Sequence, residues 1–181
     1  MRVLLAYSTS EGHTATIVGR LREFLLGAGH EVLTQQVADG RELLPEDVEG
    51  VIVGASVHGG RHQAGIRTFA KRHRKRLETM PSAFFQVCLT AADDSIEAVA
   101  ETRAYVEEFT EATGWDPALV ETFAGRLAFT HYDLFTRLVM RLHARQFGMP
   151  RLDTSRDYDY TDYGAVARFA ERFAKGLERR A

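Results

Sequence analysis

YSTSEGHT, Tyr7 to Thr14, is the stretch on which the fold turns. It joins an apolar run, Val3 to Ala6, to a segment in which Ile17, Leu21, Leu25 and Ala28 share one helical face, with Gly29 as the expected end. So short a continuous apolar run reads as a strand buried on both faces, the habit of a parallel sheet. The chain therefore opens strand, polar turn, helix. The turn offers hydroxyls around one glycine together with the free N–H groups of a helix start. That chemistry suits a phosphate monoester without any Lys or Arg.

The same alternation continues downstream. His30 to Ala38 (HEVLTQQVA) is a second strand, and Val48 to Val53 a third that stops in the loop GASVHGGRH. A helix with Ile66, Phe69, Ala70 and Leu77 on one side follows, then a fourth strand, Ser82 to Leu89. Ser95 to Thr113 predicts a helix with Ile96, Val99, Val106 and Phe109 inward. Val120 to Ala124 makes a fifth strand, and Tyr163 to Leu177 a last helix through Val166, Phe169, Ala170 and Phe173. Strands alternating with helices imply right-handed crossovers and a doubly wound α/β sheet. No linker or repeat interrupts residues 1–181, so one domain is expected.

In such sheets ligands bind beyond the carboxyl ends of the strands, where strand order reverses. The rule selects three loops: Ser8 to Thr14, Ala55 to His62 and Thr90 to Asp94. YSTSEGHT has no Lys and a single Gly, which excludes both G-x-x-x-x-G-K-[ST] and G-x-G-x-x-G. A phospho-acceptor receiver would need acidic residues where the chain has Ser8, Thr9, Ala55 and Ser56. A mononucleotide phosphate site survives, against the simpler reading that the hydroxyls only cap the helix.

Composition narrows the function classes. Apolar residues make up 45% and charged ones 27% of 181 residues, with a formal net charge of -2, so a polyanion such as nucleic acid is not the expected partner. Cys88 is the only cysteine, which excludes a disulfide framework and a zinc cluster, and a reducing cytoplasm is the expected location. It lies in an apolar run with no Arg six residues on, and reads as a buried thiol. No metal site is expected. Lys71 to Arg76 (KRHRKR) reads as a solvated helix face, with acidic headgroups as the competing contact, and Trp115 as a packing residue over a turn.

Tyr7 to Thr14 resembles the FMN phosphate loop of flavodoxin-like proteins. Val53-Gly-Ala-Ser56, then Phe69-x-Lys71-x-His73-x-x-Arg76-Leu77-x-x-Met80-Pro81-Ser82-Ala83-Phe84-Phe85 with Val87 and Leu89, is similar to the menaquinone-dependent protoporphyrinogen IX dehydrogenase family of haem biosynthesis. The resemblance runs from Met1 to about Ala128 and resumes at Tyr160-Thr161-Asp162-Tyr163. It implies a flavodoxin-like five-stranded sheet of order 2-1-3-4-5. It also implies that Thr9, Ser10, Glu11, Gly12, His13 and Thr14 hold the phosphate of FMN. Ser56, Val57, His58, Gly59 and Gly60 would edge the isoalloxazine, and Cys88, Leu89, Thr90, Ala91 and Ala92 would form a further wall. The family's aromatic clamp is replaced by Gly59, so a more open flavin is expected, with His58 or His62 the only rings at hand.

Thr130 to Pro150 (THYDLFTRLVMRLHARQFGMP) belongs to an insertion of about 130–158 after the fifth strand. Leu134, Leu138 and Leu142 repeat on one helical face beside a stripe of Arg137, Arg141 and Arg145, a pattern suited to a membrane interface. Packing on its own domain or in a homodimer is the competing reading. No apolar run is long enough to span a bilayer, so any membrane contact is peripheral. The resemblance implies an oxidoreductase that takes a hydride equivalent from a porphyrinogen onto FMN and passes electrons to a quinone. The flavin carries the chemistry, and no catalytic acid or base is singled out. Arg61, Arg126, Arg137 and Arg141 are the candidate cations for substrate propionates. A quinone- or NAD(P)H-linked FMN reductase and a flavodoxin-type electron carrier are the alternatives.

Overall fold

A computed structural model describes residues 1–127 and 155–179. In chain order these form β1 (Arg2–Ser8), α1 (His13–Gly27), β2 (Glu31–Gln36), β3 (Gly50–His58), β4 (Arg61–His62), α2 (Ala64–Thr79), β5 (Ser82–Cys88), a 3-10 turn (Leu89–Ala92), α3 (Ile96–Thr113), β6 (Leu119–Ala124), β7 (Arg126–Leu127), β8 (Tyr158–Asp159) and α4 (Tyr163–Glu178). The five long strands pair in parallel in the order β2-β1-β3-β5-β6. This is the expected doubly wound order, because β4 is a two-residue addition at the side of β3. The expected insertion falls largely outside the described residues, as do Arg137 and Arg141.

Side-chain alternation along the strands divides the core in two. Val3 and Leu5 of β1 face α1 and α4, while Leu4 and Ala6 face α2 and the aromatic layer under α3. On the second side Phe84 and Phe109 stack with centroids 4.1 Å apart, and Trp115 closes on both edge-on at 6.3 and 6.2 Å. Trp115 is thus a core anchor. Among the described residues no helix is long and apolar enough to cross a membrane.

Three expectations need correction. β3 does not stop at Val53 but runs to His58, because Ser56 still pairs with Val87 of β5 and the chain then reverses into β4. Gly59 and Gly60 both have left-handed backbones, φ 58 and 77, the geometry of a two-residue hairpin turn that only glycine adopts freely. In α3, Ile96 and Val99 face outward, 84% and 57% exposed, while Ala98, Thr102, Phe109 and Thr113 face in. The stack of Phe109 on Phe84 and the bond from Gln86 Nε2 to the Thr102 carbonyl, 2.7 Å, set that rotation.

The basic run of α2 is likewise more than a solvated face. Arg76 donates to the carbonyls of Leu44, Pro45 and Glu46 at 2.8, 3.0 and 3.3 Å. His73 bonds the Glu42 carbonyl at 3.0 Å and Arg72 that of Arg41 at 3.1 Å. Together they staple the loop between β2 and β3 to the helix. Arg76→Ala is expected to cost about 1.5–3 kcal/mol, the range for hydrogen bonds to a charged donor. Urea unfolding measures that loss, and limited proteolysis should show new cleavage within residues 41–47.

Candidate functional site

Sheet register brings Ser8 beside Ala55, Ser56 beside Val87 and Cys88 beside Ala124, so the segments leaving β1, β3, β5 and β6 share the carboxyl edge. At its centre is the start of α1. The N-cap is Gly12, φ 80, with no side-chain cap and no acidic residue in the first turn. The Gly12 N–H donates to Thr9 Oγ1 at 3.0 Å, which closes the turn. Thr14 is wholly buried and its Oγ1 has no partner among the described residues. Such an orphan hydroxyl costs about 1–3 kcal/mol unless something fills its bonding capacity. Free helix N–H groups, a side-chain-free cap and an unsatisfied hydroxyl fit a phosphate monoester, and the capping-only reading leaves them unexplained.

Two residues outside the expected site hold this loop in place. Gln63, N-cap of α2, donates from Nε2 to Ser10 Oγ at 2.9 Å and to Ser56 Oγ, tying the first loop to the end of β3. Thr161, just before α4, is the partner of His13 Nε2 at 2.7 Å and donates to the Ala124 carbonyl at 2.9 Å. These bonds assign His13 the Nε2–H tautomer and leave Nδ1 buried without a partner among the described residues. Burial lowers the His13 pKa; Asp159, with Oδ1 3.6 Å away, opposes the shift, and Arg126 adds to it. Asp159 is itself occupied, accepting from Tyr163 Oη at 2.6 Å and the Thr161 N–H at 3.0 Å. Burial would raise its pKa, but those bonds outweigh it and the net shift is down.

Along the other rim, Ser10, Glu11, Gly12, His58 and Gly59 are exposed, while Thr9, Ser56, Val57, Gly60 and residues 89–92 are half-buried. Cys88 is buried, and its thiol is pushed up to about 11 by desolvation, so it stays protonated and offers backbone rather than sulfur chemistry. His62 turns away from the edge. It is 4% exposed, lies edge-on to Phe84 and Phe109, and bonds Gln86 Oε1 through Nε2 at 3.0 Å, so it cannot flank a ligand as expected. The aromatic ring that does approach the rim is Tyr105 of α3. It hydrogen-bonds Glu101 and Thr90, and a β-carbon on Gly60 would lie 3.9 Å from it. Burial, then Glu101, push its hydroxyl up to about 12.

Of the candidate cations, Arg61 stands exposed opposite His58 in the hairpin. Arg126 opens β7 opposite Asp159 of β8, with a buried Nε that has no hydrogen-bond partner among the described residues. Neither forms an ion pair among the described residues, whereas Arg67 and Arg172 are paired with Glu108 and Glu121.

The flavodoxin domain model matches residues 4–150. A protoporphyrinogen IX dehydrogenase (quinone) of Leishmania major is 34% identical over 96% of this chain and 74% of its own length. Its counterpart in Escherichia coli K12 is 30% identical over 96% of this chain and 95% of its own. Among solved structures, oxidised flavodoxin 2 of Bacillus cereus superposes with a TM-score of 0.52 at 22% identity, covering 97% of this chain and 99% of that one. A short-chain flavodoxin associated with a bacterial microcompartment gives 0.59 at 10% identity, covering 98% and 99%. Fold, edge chemistry and kinship define an FMN-dependent oxidoreductase of the flavodoxin class. Within that class, the chain belongs to the protoporphyrinogen IX dehydrogenase (quinone) family.

Proposed function

We propose that the chain oxidises protoporphyrinogen IX to protoporphyrin IX, with a quinone as final acceptor and FMN held at the carboxyl edge of the sheet. The observation that carries the cofactor site is the start of α1: an uncapped helix with an orphan Thr14 hydroxyl. There the hydroxyls of Thr9, Ser10 and Thr14 and the backbone N–H groups of His13 and Thr14 take the phosphate, on a turn that the Gly12 N–H closes on Thr9. Gln63 and Thr161 hold that loop against β3 and β6. The backbone from Ser56 to Gly60 borders the ring on one side and Cys88 to Ala92 on the other, with Tyr105 bracing the second wall through Thr90. When bound, FMN supplies the two-electron acceptor that no side chain can provide.

The protein's own task is then to orient the substrate and neutralise its carboxylates. Arg61 and Arg126 are suited to this, being cations at the rim without an ion-pair partner among the described residues. Arg137 and Arg141 of the insertion extend the proposal beyond the described residues. The family relation supports the porphyrinogen. Anaerobic mixing of holoprotein with protoporphyrinogen IX and menadione should raise porphyrin fluorescence faster than spontaneous oxidation. No acceleration, with flavin bleaching on NADPH instead, would make it a pyridine-nucleotide-linked reductase. Arg61→Ala should raise the apparent porphyrinogen KM about tenfold at unchanged FMN content, the loss of one charge-assisted bond at an exposed site. An unchanged KM would remove Arg61 from the site.

A further inference from the structure

Between β2 and β3 the chain forms no helix of its own, and residues 38–46 lie along α2 instead. Two glycines set the approach: a β-carbon on Gly40 would collide with Thr68, and one on Gly65 with the Ala38 carbonyl. The Glu42 carboxylate turns onto its own loop, accepting the N–H groups of Ala38 and Gly40 at 2.6 and 2.9 Å. Arg72, His73 and Arg76 hold the carbonyls of residues 41, 42 and 44–46 from the other side. Leu44 is buried, yet Leu43 beside it is 70% exposed. The loop is thus fixed on either side of an apolar side chain that stands in solvent. Lys71, Arg72 and Lys75 of α2 are exposed next to it. Lys75 follows Arg72 by three residues and Lys71 by four, so the three share one helical face. The bond from Arg72 Nη1 to the Arg41 carbonyl joins that face to the loop. Arg67 and Arg74, elsewhere on the helix, are paired with Glu108 and Glu78, whereas Lys71, Arg72 and Lys75 have no ion pair among the described residues. Arg41 adds an exposed cation balanced by Asp39 at 3.7 Å.

We infer that this face is a docking surface for an anionic lipid bilayer, with Leu43 inserted and Lys71, Arg72 and Lys75 on the headgroups. Charge complementarity carries the choice of occupant. The chain as a whole has a formal net charge of -2, so a cationic face on it is a local feature that orients the molecule on a negative surface. The apolar tip separates lipid from other polyanions: a phosphate backbone offers Leu43 nothing, whereas the boundary of headgroups and acyl chains takes an apolar side chain and its flanking cations together. Preorganisation adds to this, because a loop already pinned at residues 41, 42 and 44–46 has little freedom left to lose on docking. The surface stands independently of the porphyrinogen reading, which only gives it a use. α2 starts at Ala64, beside the hairpin that closes the cofactor edge, and Lys71 lies about 10 Å further along the helix at 1.5 Å per residue. Contact there brings the cofactor edge close to an acceptor dissolved in the bilayer.

The test is sedimentation of FMN-loaded protein with vesicles of equimolar phosphatidylglycerol and phosphatidylcholine, and with vesicles of phosphatidylcholine alone. Wild type should partition onto the anionic vesicles about tenfold or more above the neutral ones, and lose most of that preference when salt is raised from about 0.1 to 0.5 M. Lys71→Gln combined with Lys75→Gln should weaken anionic binding about thirtyfold, near fivefold for each cation removed. Leu43→Ser should weaken it about fivefold while leaving its salt dependence intact. Arg22→Gln, an exposed cation on α1 across the sheet, should change it less than about twofold. Retained FMN absorbance and melting temperature certify the fold of each variant. Wild type that ignores anionic vesicles, or patch variants that bind them as wild type does, would overturn the surface. So would an Arg22 effect equal to that of the lysines, which would mark net charge alone, or duplex DNA bound as tightly as the vesicles and indifferent to Leu43, which would make the face a nucleic-acid surface. None of these outcomes bears on porphyrinogen oxidation in solution with menadione, which is measured without lipid.

Discussion

Gly12→Asp should yield a folded, colourless protein. Gly12 caps α1 with φ 80, a conformation that Asp tolerates better than most residues, and a β-carbon there meets nothing within 4 Å. A carboxylate at this point interacts favourably with the helix dipole by about 0.3–1 kcal/mol, which offsets part of the roughly 1–2 kcal/mol cost of a side chain in the left-handed region, so the apo-protein should fold and melt only a few degrees below wild type. The same carboxylate lies where the FMN phosphate is proposed to sit. Two like charges about 4 Å apart at an effective dielectric of about 20 repel by about 4 kcal/mol. FMN affinity should therefore fall by about a thousandfold. Flavin fluorescence quenching during titration of the apo-protein measures it, alongside the apo melting temperature. A variant that retains FMN at wild-type affinity would move the phosphate away from α1.

His62 should make the protein sensitive to mild acid. Burial lowers its pKa to about 4, with the Gln86 carbonyl and the Glu108 charge opposing the shift and Arg67 adding to it. In the unfolded chain the imidazole titrates near its ordinary value, about 6.5. Above that pH it is neutral in both states, and stability is undiminished. As the pH falls below it, the unfolded chain takes a proton that the folded core refuses, so stability declines until the folded group titrates near 4. The total loss is about 3 kcal/mol, because each tenfold difference in proton affinity between the two states is worth roughly 1.4 kcal/mol. His62→Gln should be less stable at neutral pH, through lost packing on Phe84 and Phe109, yet lose less of its stability between about pH 6.5 and 4.5. His13 is shifted the same way, and comparison with the variant subtracts it. Equal acid slopes for wild type and variant in urea titrations would contradict the assignment.

These two residues mark the boundary between local and non-local information. The loop around Gly12 was legible because its chemistry is contiguous: hydroxyls, one glycine and the helix start follow one another along eight residues, Tyr7 to Thr14. His62 was not. Its neighbours Phe84, Gln86 and Phe109 arrive from β5 and α3, and only the hairpin at Gly59 and Gly60 turns the ring inward. Similarly, Ile96 and Val99 fit an inward helical face as well as Ala98 and Thr102 do, and the anchor at Phe109 decided between the two. Arg76 and His73 resembled surface charge until the loop at 42–46 lay across them.

The amino-acid sequence by itself determined the order of strands and helices, the parallel buried sheet and the polar turn at the start of the first helix where the phosphate is proposed, because hydrophobic periodicity and turn chemistry act over a few residues. Only the tertiary structure decided which side chains support that loop. Gln63 reaches Ser10 across 53 residues and Thr161 reaches His13 across 148, and Tyr105 comes from the helix beyond the wall it braces. Such contacts depend on which faces pack together. That choice is made by burial of the whole chain, and no local pattern records it.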